Sequence, residues 1–230
     1  MKNIKISPSM MCADFINLKQ TLDLFNRKGV EYLHIDVMDG HYVPNFTLGV
    51  DFCNSLAAYS SIPLDIHLMI ENVDSYIPSF RHLQNAVITF HPETVYHPLR
   101  TIQLIRQQEQ SAGIAIDPSM PIESIRHLLP YIDLVCVMTV NPGYSGQKLI
   151  PESLKKIEEL HRYIAQENPG RIEIEVDGNV SWENITPMID AGADVLVAGT
   201  SSLFQKGCGL AENLDRMREM TALLDKMTVA

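Results

Sequence analysis

A closed (β/α)8 barrel, an α/β fold, is the architecture this sequence predicts, and three observations carry it. Eight short β-branched or apolar runs alternate with eight longer amphipathic ones. The 230 residues are enough for eight such units and leave no linker, low-complexity tract or second domain, so the span 1–230 reads as one barrel domain. Ionisable and glycine residues gather where the apolar runs end.

The elements follow in order. Residues 4–8 alternate around Ile4 and Ile6 and end at Pro8, a first strand; residues 15–28 have helical spacing and stop before Gly29. Residues 32–38 form the second strand, 50–59 a helix, 64–69 the third strand and 73–84 a helix. Strand 86–90 leads to helix 98–110, opened by Pro98 at its first turn, and strand 113–116 leads to helix 121–129, opened by Pro121. Strand 134–138 precedes helix 151–167, which starts at Pro151; strand 172–176 precedes helix 182–191, closed by Gly192; strand 195–198 precedes helix 210–226. An open doubly wound sheet is the alternative, but Ser7-Pro8-Ser9-Met10-Met11 stands where its G-x-G-x-x-G turn would be.

Charge narrows the partners. Eighteen Lys plus Arg against 28 Asp plus Glu give a net −10, which opposes nucleic acid and anionic membrane, so an anionic ligand must be held by local geometry. The four cysteines, at 12, 53, 136 and 208, form no CxxC pair, and no apolar run reaches the ~20 residues a membrane helix needs. A cytoplasmic protein with reduced thiols is expected.

In such a barrel the chemistry belongs at the C-terminal ends of the strands. There His34, Asp36 and Met38 alternate with Ile35 and Val37, and Asp65, His67 and Met69 alternate with Ile66 and Leu68, which turns each polar set inward. His34, Asp36, His67 and Asp177 make an N₂O₂ set for which zinc, manganese, iron or cobalt is chemically admissible; a metal-free buried ion-pair network is the competing reading. Three glycine turns, at Gly143-Tyr144-Ser145-Gly146, Gly178-Asn179 and Gly199-Thr200-Ser201, can offer backbone N–H groups to a phosphate. Met38, Met69 and Met138 are expected to line the same mouth as apolar filler, and His91 to line or back the site without ligating.

Ser7-Pro8-Ser9, the run His34 to Asn45, Asp65 to Met69, Met138 to Gln147 and Glu175 to Gly178 together resemble the ribulose-phosphate 3-epimerase family, over about residues 4 to 204. The resemblance implies the barrel, a divalent metal held by His34, Asp36, His67 and Asp177, and an acid/base pair formed by Asp36 and Asp177. Zinc is the first choice, with manganese, iron, cobalt or magnesium as alternatives. It also implies a homo-oligomer, dimer or hexamer, and a phosphorylated ketose bound by Ser9, His67, Gly143, Tyr144, Ser145, Gly146, Asp177, Gly178, Asn179, Gly199, Thr200 and Ser201. Met11-Cys12, Gly178-Asn179 and Gly199-Thr200-Ser201 depart from the pentulose-phosphate branch, and Met11-Cys12, Met138-Thr139-Val140 and the turn from Gly199 to Phe204 look more like the branch acting on D-allulose 6-phosphate. The expected reaction is 3-epimerisation of D-allulose 6-phosphate to D-fructose 6-phosphate, with D-ribulose 5-phosphate to D-xylulose 5-phosphate as the alternative. A phosphosugar-binding barrel without catalysis, or a metal-dependent hydrolase, would have less use for two carboxylates flanking two histidines.

Overall fold

The computed structural model describes residues 3–167 and 172–227, and among them are nine strands and seven α-helices. The remaining positions of the predicted domain span, 1, 2, 168–171 and 228–230, lie outside the described residues. The strands are β1 (Lys5–Pro8), β2 (Leu33–Asp39), β3 (Phe46–Thr47), β4 (Leu64–Met69), β5 (Val87–Phe90), β6 (Ser111–Ile116), β7 (Leu134–Met138), β8 (Glu173–Asp177) and β9 (Val195–Ala198). All except β3 run parallel, in the order β1-β9-β8-β7-β6-β5-β4-β2. A parallel bridge from Ser9 to His34 joins β1 to β2, so the ring closes into the (β/α)8 barrel.

The helices are α1 (Leu18–Lys28), α2 (Val50–Tyr59), α3 (Val73–Tyr76), α4 (Pro98–Arg106), α5 (Glu152–Glu167), α6 (Ile185–Ala191) and α7 (Leu210–Met227). Each presents one apolar stripe to the sheet. In α1 that stripe is Thr21, Leu22 and Phe25, and the helix ends at Gly29, whose φ of +63° lets its N–H cap the last turn. Phe25, Ile35, Ile66, Leu68, Phe90, Ile102, Ile157 and Leu214 belong to one buried cluster between strands and helices. Burying each such side chain contributes about 1.5–3 kcal/mol before entropy is counted. No described helix is long and apolar enough to cross a membrane.

Two expectations need correction, and one strand was not expected. Residues 121–129 form no α-helix but two 3₁₀ turns, Ile122–Ile125 and Leu129–Tyr131. Pro130 contributes, because it lacks an N–H and its ring would clash with the carbonyl four residues earlier in an α-helix running through the end of this segment. The helix expected over 73–84 keeps one α turn and passes into the 3₁₀ turn Ile77–Phe80, where Pro78 removes the next hydrogen bond. Strand β3 had no signal in the sequence: its two residues pair antiparallel with Met38 and Asp39.

Candidate active site

Register stacks the inward residues. Asp36 lies beside His67, His34 beside Asp65 and Met38 beside Met69 on β2 and β4, while Met138 pairs with Asp177 and Cys136 with Glu175 on β7 and β8. All eight strands run parallel, so their C-terminal ends open at one mouth, and the tilt and stagger of the closed barrel bring Asp36 on β2 level with Asp177 on β8.

His34, Asp36, His67 and Asp177 converge there, each offering a ligand atom within 4.8 Å of the others. Asp36 Oδ1 is 3.2 Å from His34 Nε2 and 3.3 Å from His67 Nδ1; Asp177 Oδ2 is 4.0 Å and 3.8 Å from the same nitrogens. His67 Nδ1 is buried and makes no hydrogen bond. A nitrogen left without a hydrogen-bond partner, facing two carboxylates and a second imidazole, is a fit to a divalent cation with borderline ligands. The cluster can hold a metal ion.

The groups behind it orient the imidazoles. His34 Nδ1 is 2.6 Å from Asp65 Oδ2, which also accepts from the Ser7 hydroxyl at 3.1 Å. This is the carboxylate–imidazole arrangement that frees the other nitrogen for a metal. His67 Nε2 meets His91 Nε2 at 3.0 Å, and His91 Nδ1 lies 3.5 Å from Glu93 Oε1, which accepts from the Tyr42 hydroxyl at 2.7 Å. His91 thus stands behind His67, as its place after a strand suggested.

Burial penalises a charged His34, but the Asp65 and Asp36 carboxylates outweigh it and raise its pKa well above the ordinary imidazole range. Burial acts against ionised Asp36 too, yet His34 and its hydrogen bond lower that carboxyl below the usual range. Asp177 moves the other way: burial, then the charge on Asp36, push it up to about 6. The two carboxylates are driven apart by their surroundings, Asp36 towards the ionised form and Asp177 towards the protonated one, the pattern of an acid/base pair.

Sequence reasoning gave Glu175 no role of its own. Its two oxygens and Asp65 Oδ1 meet no nitrogen or hydroxyl donor, and burial together with Asp65 raises its pKa far above the carboxylate range. Glu175 therefore keeps its proton and donates it to Asp65. E175Q should retain kcat/KM within about threefold, because the amide still donates. The unfolded chain loses the Glu175 proton above the unfolded value while the folded chain keeps it, so the proton's contribution to stability declines as pH rises towards the folded value. E175Q should remove that slope, about 1.4 kcal/mol per pH unit at most, in denaturant melts run with chelator. A tenfold activity loss in E175Q would mean that an ionised carboxylate is required.

The cavity above the cluster is lined by Ser9, Asp36 and Asp177, by Met38, Met69 and Met138, and by the turns 143–147, 178–179 and 199–201. His34 and His67, wholly buried, lie beneath its wall. Ser9 donates to Asp36 Oδ2 at 3.3 Å. Gly178 has φ +119°, and a Cβ there would sit 2.6 Å from Val140 Cγ2; only glycine lets this turn pass so close. Several lining residues, among them Cys12, Asn141 and Gln147, were not singled out as site residues from the sequence. Cys12 faces the Gly199 turn, Asn141 carries the start of the mouth loop, and Gln147 ties that loop by donating to the Asn141 and Tyr144 carbonyls at 2.6 and 3.0 Å. Across the mouth, Asn45 Nδ2 donates to the Gly143 carbonyl at 2.9 Å and clasps two loops together.

Comparison with known proteins agrees with this geometry. A family model described as the ribulose-phosphate 3 epimerase family matches residues 5–204. The ribulose-phosphate 3-epimerase of Bacillus subtilis is 42% identical over 198 residues, covering 86% of this chain and 91% of its own length. The Helicobacter pylori ribulose-phosphate 3-epimerase is 38% identical over 220 residues, covering 95% and 100%. Among solved structures, orotidine 5'-monophosphate decarboxylase from Sulfolobus solfataricus superposes with a TM-score of 0.68 at 10% identity, over 96% of this chain and 99% of that one. A tryptophan synthase α-subunit variant from Pyrococcus furiosus gives 0.66 at 12% identity, over 97% of both. At such identities the likeness concerns the barrel fold alone. The matched family and the relatives near 40% identity speak to activity as well: this chain belongs to the ribulose-phosphate 3-epimerase family and is an epimerase, an isomerase-class enzyme acting on a phosphorylated sugar.

Proposed function

We propose that the chain interconverts D-ribulose 5-phosphate and D-xylulose 5-phosphate by two-base proton transfer at C3. The observation that carries the reading is the convergence of Asp36, from β2, and Asp177, from β8, on one buried cluster below a glycine-rimmed cavity. Those strands stand three apart around the ring, so their carboxylates approach the centre from different sides. Inversion at C3 needs a base on each face, since one carboxylate cannot reach both. Asp36, favoured as the ionised form, removes the proton; Asp177, the more readily protonated of the two, delivers one to the opposite face, and the reverse reaction exchanges their roles.

His34, Asp36, His67 and Asp177 would hold the divalent metal, with zinc the first choice. When bound, it supplies Lewis acidity that makes the C3 proton removable and stabilises the enediolate. Asp65 and His91 fix the imidazoles, and Ser9 holds Asp36 and can reach the sugar oxygens. Met38, Met69 and Met138 give the floor a low dielectric that strengthens these effects. Backbone N–H groups of the turns at Gly146, Gly178 and Gly199 to Ser201 seat the phosphate, which is how a protein of net charge −10 binds an anion. We also carry forward, as proposals, the single domain over 1–230, a homo-oligomer and a cytoplasmic location.

The hexulose preference read from motif detail finds no support among the relatives, which are named for ribulose phosphate. The pentulose reading therefore takes its place. Incubation of each substrate in deuterated water tests both, with label expected at C3 and kcat/KM for ribulose 5-phosphate at least about tenfold above that for allulose 6-phosphate, a ΔΔG‡ of about 1.4 kcal/mol. Label without inversion, or a reversed preference, would overturn the assignment.

A further inference from the structure

Asn179 has φ +46°, a left-handed conformation that glycine adopts without strain and that asparagine tolerates. Its side chain joins three mouth turns. The Leu149 N–H, which can only donate, reaches Asn179 at 3.2 Å, and this fixes the atom facing it as Oδ1. Asn184 Nδ2 donates to the same oxygen at 2.9 Å, so Nδ2 of Asn179 is left to donate to Ser201 Oγ at 3.1 Å. A serine hydroxyl that accepts from one side has its single proton for another partner. The Ser201 hydroxyl donates to no other described residue and lines the cavity beside Gly199 and Thr200.

We infer that Asn179 is a positioning residue: its carboxamide holds the Ser201 hydroxyl with the proton directed at the phosphate, and ties that turn to the loop ending at Leu149. The inference rests on the phosphate seat proposed above. It assigns Asn179 a role exerted through Ser201, distinct from the direct substrate contact expected from the sequence.

The N179G variant suits the test, because glycine accepts the backbone conformation and loses only the carboxamide. With N179G, KM for ribulose 5-phosphate and the competitive inhibition constant of inorganic phosphate should both rise about tenfold, while kcat falls no more than about threefold, as expected when one charge-assisted hydrogen bond is lost. S201A should produce the same shift. The N179G/S201A double variant should bind phosphate no worse than either single one, since both abolish the same bond from the Ser201 hydroxyl to phosphate. Multiplicative effects in the double variant, or unchanged KM and phosphate inhibition in N179G with an unaltered melting midpoint, would overturn the inference. Should the wild-type protein neither bind inorganic phosphate nor prefer the phosphorylated ketose to the free sugar, the phosphate seat itself would be wrong, and the inference would fall with it.

Discussion

Replacing Asp177 by Asn should lower the rate of inversion by at least about 10³-fold, within the range by which a positioned acid/base group contributes. The asparagine keeps the shape of the side chain and one oxygen towards His34 and His67, so the fold is expected to survive. The more telling result concerns exchange. With Asp36 intact, one face of C3 can still lose and regain a proton, so one epimer should take up solvent deuterium faster than it is converted into the other. Mass spectrometry of recovered substrate, at saturating divalent ion, reads this directly. D177N inverting at near the wild-type rate would sink the two-base scheme, and equal loss of exchange and inversion would show that Asp177 serves binding alone.

Removal of divalent ions should have an effect of the same order. Activity is expected to fall below about 1% and to return on adding zinc, manganese or cobalt, since Lewis acidity is worth several kcal/mol in such a step. The fold should persist, because protonated His34 already lies among Asp36, Asp65 and Asp177 and takes up part of the missing positive charge. The raised pKa of His34 sets the sign of the pH effect: the metal must displace that proton, so apparent affinity should increase with pH and binding should release protons into a weakly buffered solution. A ligand present at 100 times its Kd adds about 2.7 kcal/mol to stability, so the chelated protein should melt several degrees lower. Full activity after metal removal would favour the ion-pair network weighed from the sequence.

The inner face of the barrel was legible because strand geometry is rigid. Period-two alternation puts His34, Asp36 and Met38 on one face and Ile35 and Val37 on the other, and register then brings Asp36 beside His67. The turns at Gly143, Gly146 and Gly178 were legible for a similar reason, since left-handed backbone leaves few residue choices. Contacts between distant loops carried no such signal: nothing local in Asn45 announces Gly143, and nothing in Asn179 announces Ser201. Pro130 was visible, but its effect depended on how short the surrounding segment is. Glu175 shares the alternation of Asp177, yet its proton is set by burial in the barrel and then by Asp65, a partner more than a hundred residues away in the chain. The motif pattern identified the family, while the six-carbon preference read from a few departing residues found no support among the relatives.

The buried Ser7, Asp65, His34 and Glu175 level beneath the site has a consequence for engineering. Desolvating a set of charges and then joining them is often no better for folding than filling the same volume with hydrocarbon. A barrel selected for heat resistance alone would be free to discard this level. Its retention would mark selection for turnover, and a stabilised design that replaces it with aliphatic side chains should be a more durable and catalytically silent protein.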